Sequence, residues 1–88
     1  MTWSVEWDER ARRELRRLDP AVQRQILRYL RERIAGSNDP RRFGRSLGGQ
    51  LGGLWRYRVG DYRLVCEVAN DRLVVLVLAV GHRKDVYS

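Results

Sequence analysis

The sequence predicts an α+β fold: an N-terminal strand, an antiparallel two-helix hairpin and a three-stranded antiparallel meander, with the helices packed on one sheet face. Three observations predict it. The chain opens with an alternating segment, continues with two amphipathic stretches at helical spacing, and ends with segments that alternate between turn signals. Strands joined by short turns pair as hairpins, so the helices form one covering layer. With 88 residues, a single domain spanning residues 1–88 is expected.

The N-terminal half is predicted to contain the strand and the helix hairpin. Residues 3–7 alternate apolar and polar side chains, which indicates a strand. Asp8 can cap the helix that follows, and Asp19 with Pro20 can start the next helix. Gly36 is the predicted end of the second helix. The apolar stripes of the two helices are Ala11, Leu15 and Leu18, then Val22, Ile26, Tyr29, Leu30 and Ile34.

Residues 38–53 differ in composition from the helices before them. They combine several arginines with glycines, which predicts a surface loop with at most one short turn or strand. Residues 46–49 lack the Gly-Lys-Ser/Thr end of a phosphate-binding loop, and no apolar strand precedes them. The arginines of this loop, Arg45 among them, can still reach a nucleic-acid backbone.

Residues 54–68 show the clearest hairpin pattern of the chain. A tight turn at residues 60–61, Gly-Asp, reverses two alternating runs. This turn places Arg58 opposite Arg63, and both then share one sheet face with Arg56. The aromatic and apolar residues between them share the other face.

Three arginines on one sheet face favour an anion-binding surface. Like charges directly opposite each other destabilise a hairpin, so such a cluster indicates a bound anion, and nucleic acid is the expected polyanion. The alternative is an ordinary solvated sheet face in an arginine-rich chain, since Lys84 is the only lysine among 18 basic residues. The net charge of +7 is compatible with RNA, DNA, a ribosome or an acidic protein, and does not choose among them.

The last strand is predicted at residues 72–80, after a turn at residues 70–71. It is apolar at nearly every position, which is typical of a central strand buried on both faces. One face must meet the helices. The other face either forms the floor of a groove or is covered by a partner protein.

This turn would place Leu78 opposite Arg63. Strict alternation from Leu78 then puts His82, and not Arg83, on the face of the arginines. Arg83 joins that face only if the strand ends or bulges at Gly81, which glycine permits.

The remaining composition favours a cytoplasmic protein. Cys66 is the only cysteine, so no internal disulfide is expected, and its core-facing strand position indicates a small buried hydrophobic residue. No apolar run approaches the roughly 20 residues of a membrane span. The N-terminal residues are charged and lack the apolar segment of a signal peptide, so neither a membrane location nor secretion is expected.

The order of elements and three short motifs resemble the RelE/ParE superfamily of bacterial toxins. The motifs are Tyr-Arg-Leu-Val at residues 62–65, Val-Gly-His-Arg at residues 80–83 and Val-Tyr-Ser at residues 86–88, and together they resemble the RelE branch. The resemblance covers essentially the whole chain. It implies the toxin of a type II toxin–antitoxin pair that cuts mRNA codons in the ribosomal A site.

The reaction implied by this resemblance is attack of an RNA 2′-hydroxyl on the adjacent phosphate, without a metal ion or other cofactor. The implied partners are the ribosome, mRNA and a cognate RelB-like antitoxin, with operator DNA bound only through the antitoxin. The resemblance assigns Arg63 to phosphate and transition-state charge, Arg83 to the leaving 5′-oxygen, and Tyr87 to a base or the 2′-hydroxyl. The RNA-binding residues are expected to be Arg45, Arg56, Arg58 and Lys84.

The general base is left open by the sequence. RelE has lysines where this chain has Arg56 and Arg58, and the pKa of arginine is too high for that role. Tyr87 and His82 are the two candidates, His82 because an unperturbed imidazole titrates near neutral pH.

Two other functions are compatible with the sequence. One is a ParE-like toxin that inhibits DNA gyrase on the same fold, and the other is a non-catalytic basic RNA-binding module. The set of Arg63, Arg83 and Tyr87 is not needed for gyrase inhibition, so its presence favours the endoribonuclease.

Overall fold

Two helices pack on a mixed sheet in the computed structural model, which describes residues 2–47 and 53–86. The elements are β1 (Ser4–Trp7), α1 (Glu9–Arg16), α2 (Pro20–Tyr29), β2 (Arg45–Ser46), β3 (Leu54–Val59), β4 (Tyr62–Ala69), β5 (Val74–His82) and α3 (Arg83–Val86). Within the described ranges the strand order is β1-β5-β4-β3-β2. β1 pairs with β5 in parallel and every other pair is antiparallel. The predicted α+β fold is confirmed, with β5 in the interior of the sheet.

The helix ends follow local signals in most places. The Asp8 carboxylate accepts a backbone N–H at 3.1 Å and caps α1, as predicted. Asp19 and Pro20 begin α2 as predicted, with Asp19 at the N-cap position, but the Asp19 side chain makes no capping hydrogen bond. A π-helical segment, Leu30–Ala35, continues α2, and Gly36 follows it at the predicted end.

The core lies between the helices and one face of the sheet. Its fully buried residues come from both layers: Ala11, Ile26, Ile34, Tyr57, Leu64, Cys66, Val75 and Val77. Burial of apolar area at about 25 cal/mol per Å² is the main stabilising contribution. The buried Tyr57 hydroxyl donates to the Pro40 carbonyl at 2.9 Å. This bond joins β3 to the 3₁₀ helix Pro40–Phe43, which lies inside the predicted loop.

Gly44 is where this loop passes closest to the sheet. A Cβ atom at Gly44 would lie 2.9 Å from the Tyr57 ring and 3.0 Å from the Arg56 carbonyl oxygen. We expect Gly44→Ala to lower the free energy of unfolding by about 1–3 kcal/mol, because the ring and the backbone would have to move apart. Urea unfolding measures the change. Gly36→Ala is the matched control, since its Cβ would meet nothing closer than 3.5 Å; equal losses in the two variants would contradict this explanation.

Candidate functional site

The arginines of β2, β3 and β4 lie on the sheet face opposite the helix-covered core. In the first hairpin Arg58 pairs with Arg63, as the Gly-Asp turn predicts, and Gly60 has a φ of +59°. Arg45 of β2 pairs with Arg56 of β3, which adds a second pair of like charges. We call the surface carrying Arg45, Arg56, Arg58 and Arg63 the arginine face.

The four arginines of this face differ in exposure. Arg58 and Arg45 are exposed and Arg56 is half-buried, whereas Arg63 is only 8% exposed. A buried guanidinium has fewer rotamers available than an exposed one, so Arg63 is held in a more fixed orientation than its neighbours. The exposed arginines retain the freedom to follow a flexible polyanion.

The register of the second hairpin differs from the prediction. Ala69 pairs with Val74, so the turn spans residues 70–73 instead of 70–71, and Leu73 closes it with a φ of 53°. A β-bulge follows, since Cys66 pairs with Val77 but Val65 pairs with Ala79. Leu78 is therefore the additional residue of β5 and does not lie opposite Arg63. The predicted bulge site, Gly81, is regularly paired.

The corrected register moves His82 away from the arginine face. Gly81 lies opposite Arg63, so Gly81 is on the side of the arginine face and His82 is on the other side. The Arg83 N–H donates to the Asp61 carbonyl at 2.8 Å, which continues the pairing to the first residue of α3. His82 pairs with Tyr62, and their rings meet edge to face with centroids 5.5 Å apart. The alternation predicted from the sequence, which puts His82 on the arginine face, is wrong.

Two further predicted site residues, Lys84 and Tyr87, follow the paired part of β5 in the sequence. Lys84 is exposed, and its backbone N–H donates to His82 Nδ1 at 3.3 Å. Tyr87 lies outside the described residues.

A groove of about 450 Å³ lies between α1 and strands β4 and β5. Val65, Ala79 and Gly81 are among the residues that line it, so the second face of the last strand forms part of a groove, one of the two alternatives that the sequence left open. Arg10 and Glu14 of α1 line its other side. The residues brought together here come from three elements: α1, β4 and β5.

Glu14 is a residue of this groove that sequence reasoning missed. Its Oε1 accepts the Val80 N–H at 2.8 Å, and its Oε2 accepts the Arg10 Nε–H at 3.3 Å. The first bond is needed because β1 pairs with β5 only as far as Trp7 and Val77, which leaves the later edge of β5 without a strand partner. In the sequence Glu14 is one of several charged positions on an exposed helix face, which gives no signal for this contact.

A second groove of about 300 Å³ lies on the β2 side of the arginine face. It brings together the predicted RNA-binding residues Arg45, Arg56 and Arg58 with Phe43 and Gly44. Phe43 was not among the predicted site residues. Its position between arginines in the sequence is the only signal that could have found it.

Comparison with known proteins identifies the family of this chain. Residues 5–87 match the protein family described as the ParE toxin of the type II toxin–antitoxin system parDE. It is 31% identical to toxin RelG of Mycobacterium tuberculosis over 87 residues, or 99% of this chain and 98% of that protein. It is 34% identical to the mRNA interferase toxin RelE of Escherichia coli over 91 residues, with 100% and 93% coverage. The chain belongs to the RelE branch of the RelE/ParE toxins.

Solved structures of this toxin branch share the fold. The crystal structure of the toxin–antitoxin complex RelBE2 from Mycobacterium tuberculosis matches with a TM-score of 0.83 and 28% identity, covering 97% of this chain and 95% of that one. The present chain is therefore a RelE-like toxin of a type II toxin–antitoxin system.

Burial excludes two side chains of this toxin from acid–base chemistry at neutral pH. Burial raises the pKa of the Cys66 thiol to about 12, so Cys66 is the neutral core residue that its strand position predicts. Burial also raises the pKa of Tyr57, whose hydroxyl is already bonded to Pro40. In the part of the toxin that the structure describes, no three His, Cys, Asp or Glu side chains are grouped to hold a metal ion, and no helix is long and apolar enough to cross a membrane.

Proposed function

We propose that this toxin is a ribosome-dependent endoribonuclease that cuts mRNA codons in the A site. The observation that carries the proposal is the register of β3, β4 and β5, which gathers Arg56, Arg58 and the buried Arg63 on one sheet face and pairs Arg63 with Gly81, two residues before Arg83. The Escherichia coli relative bears the name mRNA interferase, which supports the same activity.

The proposed reaction is transesterification within the RNA. The 2′-oxygen loses its proton and attacks the adjacent phosphorus, the bond from phosphorus to the 5′-oxygen breaks, and the leaving oxygen takes up a proton. The products are a cyclic 2′,3′-phosphate and a free 5′-hydroxyl. The nucleophile belongs to the substrate, so the protein has to supply charge stabilisation, proton transfer and orientation.

Arg63 is the residue proposed to bind the phosphate in the transition state. A guanidinium offers two parallel N–H donors to phosphate oxygens, and a donor held in place by its surroundings needs no reorganisation as charge develops. Arg83 is proposed to stabilise the leaving 5′-oxygen. The pairing of Gly81 with Arg63 and the bond from the Arg83 N–H to the Asp61 carbonyl support this role.

Tyr87 is proposed to handle the 2′-hydroxyl, as the general base or as its hydrogen-bond partner. The alternative base, His82, pairs with Tyr62 on the opposite side of the sheet from Arg63. Arg45, Arg56, Arg58 and Lys84 are proposed to bind the RNA backbone. Orientation of the substrate by the ribosome would compensate for a site with few catalytic groups.

The proposed partners are the ribosome, mRNA and a RelB-like antitoxin in the cytoplasm. Solved structures of related toxins include complexes with their antitoxins, which supports this assignment. An acidic antitoxin segment that covers the arginine face or the basic helix α1 would inhibit the toxin, because it would neutralise the charge that binds RNA. Operator DNA is proposed to bind through the antitoxin.

Primer extension on mRNA in programmed ribosomes, compared with naked RNA, tests the proposed function. Cleavage at the A-site codon only in the presence of ribosomes is the expected result. Absence of cleavage in both samples would contradict it. Since the matching family is described as a ParE toxin, gyrase inhibition is the second candidate, and a DNA supercoiling assay then tests it. RNA binding without cleavage would instead indicate a non-catalytic module.

A further inference from the structure

Phe43 is an exposed aromatic ring on a well-held backbone. It ends the 3₁₀ helix Pro40–Phe43, and its side chain is 36% exposed. Its carbonyl oxygen accepts a hydrogen bond from the Tyr29 hydroxyl at 3.5 Å, and the next N–H, that of Gly44, donates to the Arg41 carbonyl at 3.2 Å. A large apolar ring is thus presented to solvent at a defined position, which burial of the core does not require.

Arginines surround this ring. The guanidinium carbons of Arg33 and Arg42 lie 5.7 and 5.8 Å from the centroid of the Phe43 ring, which is the outer range of a cation–π contact. Aromatic rings and guanidinium planes are the two protein surfaces on which unpaired bases stack.

The groove beside Phe43 is lined by arginines that can bind phosphate. Arg45, Arg56 and Arg58 line it, and the first two are directly paired across β2 and β3. A volume of about 300 Å³ is at the lower end of the size of small-ligand sites. Such a density of positive charge around one ring favours a ligand that carries both a flat base and a phosphate, because guanidinium groups bind phosphate oxygens and the ring offers a stacking surface.

This groove lies on the same face as Arg63 but two strands away. Neighbouring strands are about 4.8 Å apart, so β2 lies about 10 Å from β4. A single RNA strand crossing the sheet from Arg63 would therefore reach the groove with a nucleotide that flanks the one being cut.

We propose that the Phe43 groove is a nucleotide-binding subsite for single-stranded RNA, in which a base stacks on Phe43 and its phosphate binds Arg45 and Arg56. The position of this nucleotide relative to the cut rests on the proposed function, whereas the binding of RNA in the groove does not. Because stacking tolerates every base, the subsite contributes affinity and a modest preference for strongly stacking bases.

The test is binding of a short single-stranded RNA that contains 2-aminopurine, measured by anisotropy and by base fluorescence on the full-length toxin. Phe43→Ala is expected to weaken binding roughly tenfold and to remove the fluorescence change caused by stacking. Phe43→Trp keeps a stacking surface and is expected to restore both signals. Leu47→Ala is the matched control, because Leu47 is a comparably exposed apolar residue, 38% exposed, from the same loop.

Salt dependence separates stacking from phosphate binding. Phe43→Ala is expected to leave the dependence of affinity on salt concentration unchanged, whereas Arg45→Ala is expected to lower its slope by roughly 0.7. Unchanged RNA affinity in Phe43→Ala would overturn the proposal. The proposal would also be overturned if Phe43→Ala lost binding to the antitoxin but kept binding to RNA, since the groove would then serve a protein partner.

The same variants distinguish this proposal from the nuclease itself. If Arg63→Ala abolishes cleavage while Phe43→Ala binds RNA normally, the subsite is wrong and the nuclease stands. If no form of the toxin cleaves RNA but Phe43→Ala still loses the stacking signal, the subsite stands without the nuclease.

Discussion

Replacing Arg63 with alanine is expected to slow A-site cleavage by about 10³-fold, because one preorganised charge on the transition state contributes roughly that factor. The measurement is single-turnover primer extension on saturating ribosomes. Growth arrest on expression of the toxin is expected to disappear in the same variant and in Arg83→Ala. Arg63→Lys is expected to recover only part of the rate, since an ammonium keeps the charge but not the two-point geometry.

Arg72→Ala is the control for loss of charge alone. Arg72 is exposed in the turn at residues 70–73, away from the arginine face, so its removal lowers the net charge equally without touching the proposed site. Because Arg63 is buried, folding of Arg63→Ala has to be checked by urea unfolding and by binding to the antitoxin. Full toxicity of folded Arg63→Ala and Arg83→Ala proteins would refute the assignment of both residues.

The first hairpin could be predicted in full from the sequence, and the second could not. Gly60 and Asp61 are residues that a tight turn requires, and Gly60 takes the positive φ that such a turn uses. The second turn is closed by Leu73 in a left-handed conformation, and the bulge is at Leu78. Neither leucine carries a sequence signature of a turn or a bulge, because tertiary packing and not local preference determines their backbone.

The irregular second hairpin determines which residue at the end of β5 shares a face with Arg63. Alternation counted from the wrong turn puts His82 on the face of Arg63, whereas the one additional residue of the bulge moves His82 to the other face. The residue types of the proposed site can thus be predicted from the sequence, but which of the last β5 residues shares a face with Arg63 depends on a single irregularity in β5. The contact between Glu14 and Val80 near the end of β5 connects residues 66 positions apart and is likewise visible only in the structure.

Removing the Glu14 carboxylate is expected to loosen the end of β5 and, through it, the position of Arg83. In Glu14→Ala the N–H of the buried residue Val80 loses its acceptor, which costs about 1–3 kcal/mol of unfolding free energy. We expect faster hydrogen exchange of the Val80 amide and slower cleavage, with little change in RNA affinity, because the arginines of β2 and β3 are not disturbed. Amide exchange followed by NMR and single-turnover cleavage measure the two effects.

Glu14→Gln separates the hydrogen bond from the charge. The glutamine carbonyl oxygen can still accept the Val80 N–H, so this variant is expected to restore both the exchange rate and the cleavage rate. Arg10→Ala removes only the ion pair with Glu14, in which the Arg10 side chain is 70% exposed, and such surface pairs contribute little. If Glu14→Gln cleaved as slowly as Glu14→Ala while its Val80 amide stayed protected, the carboxylate charge would be acting on the reaction directly. Glu14 would then be a candidate for the open role of general base, since it lines the groove between α1 and strands β4 and β5.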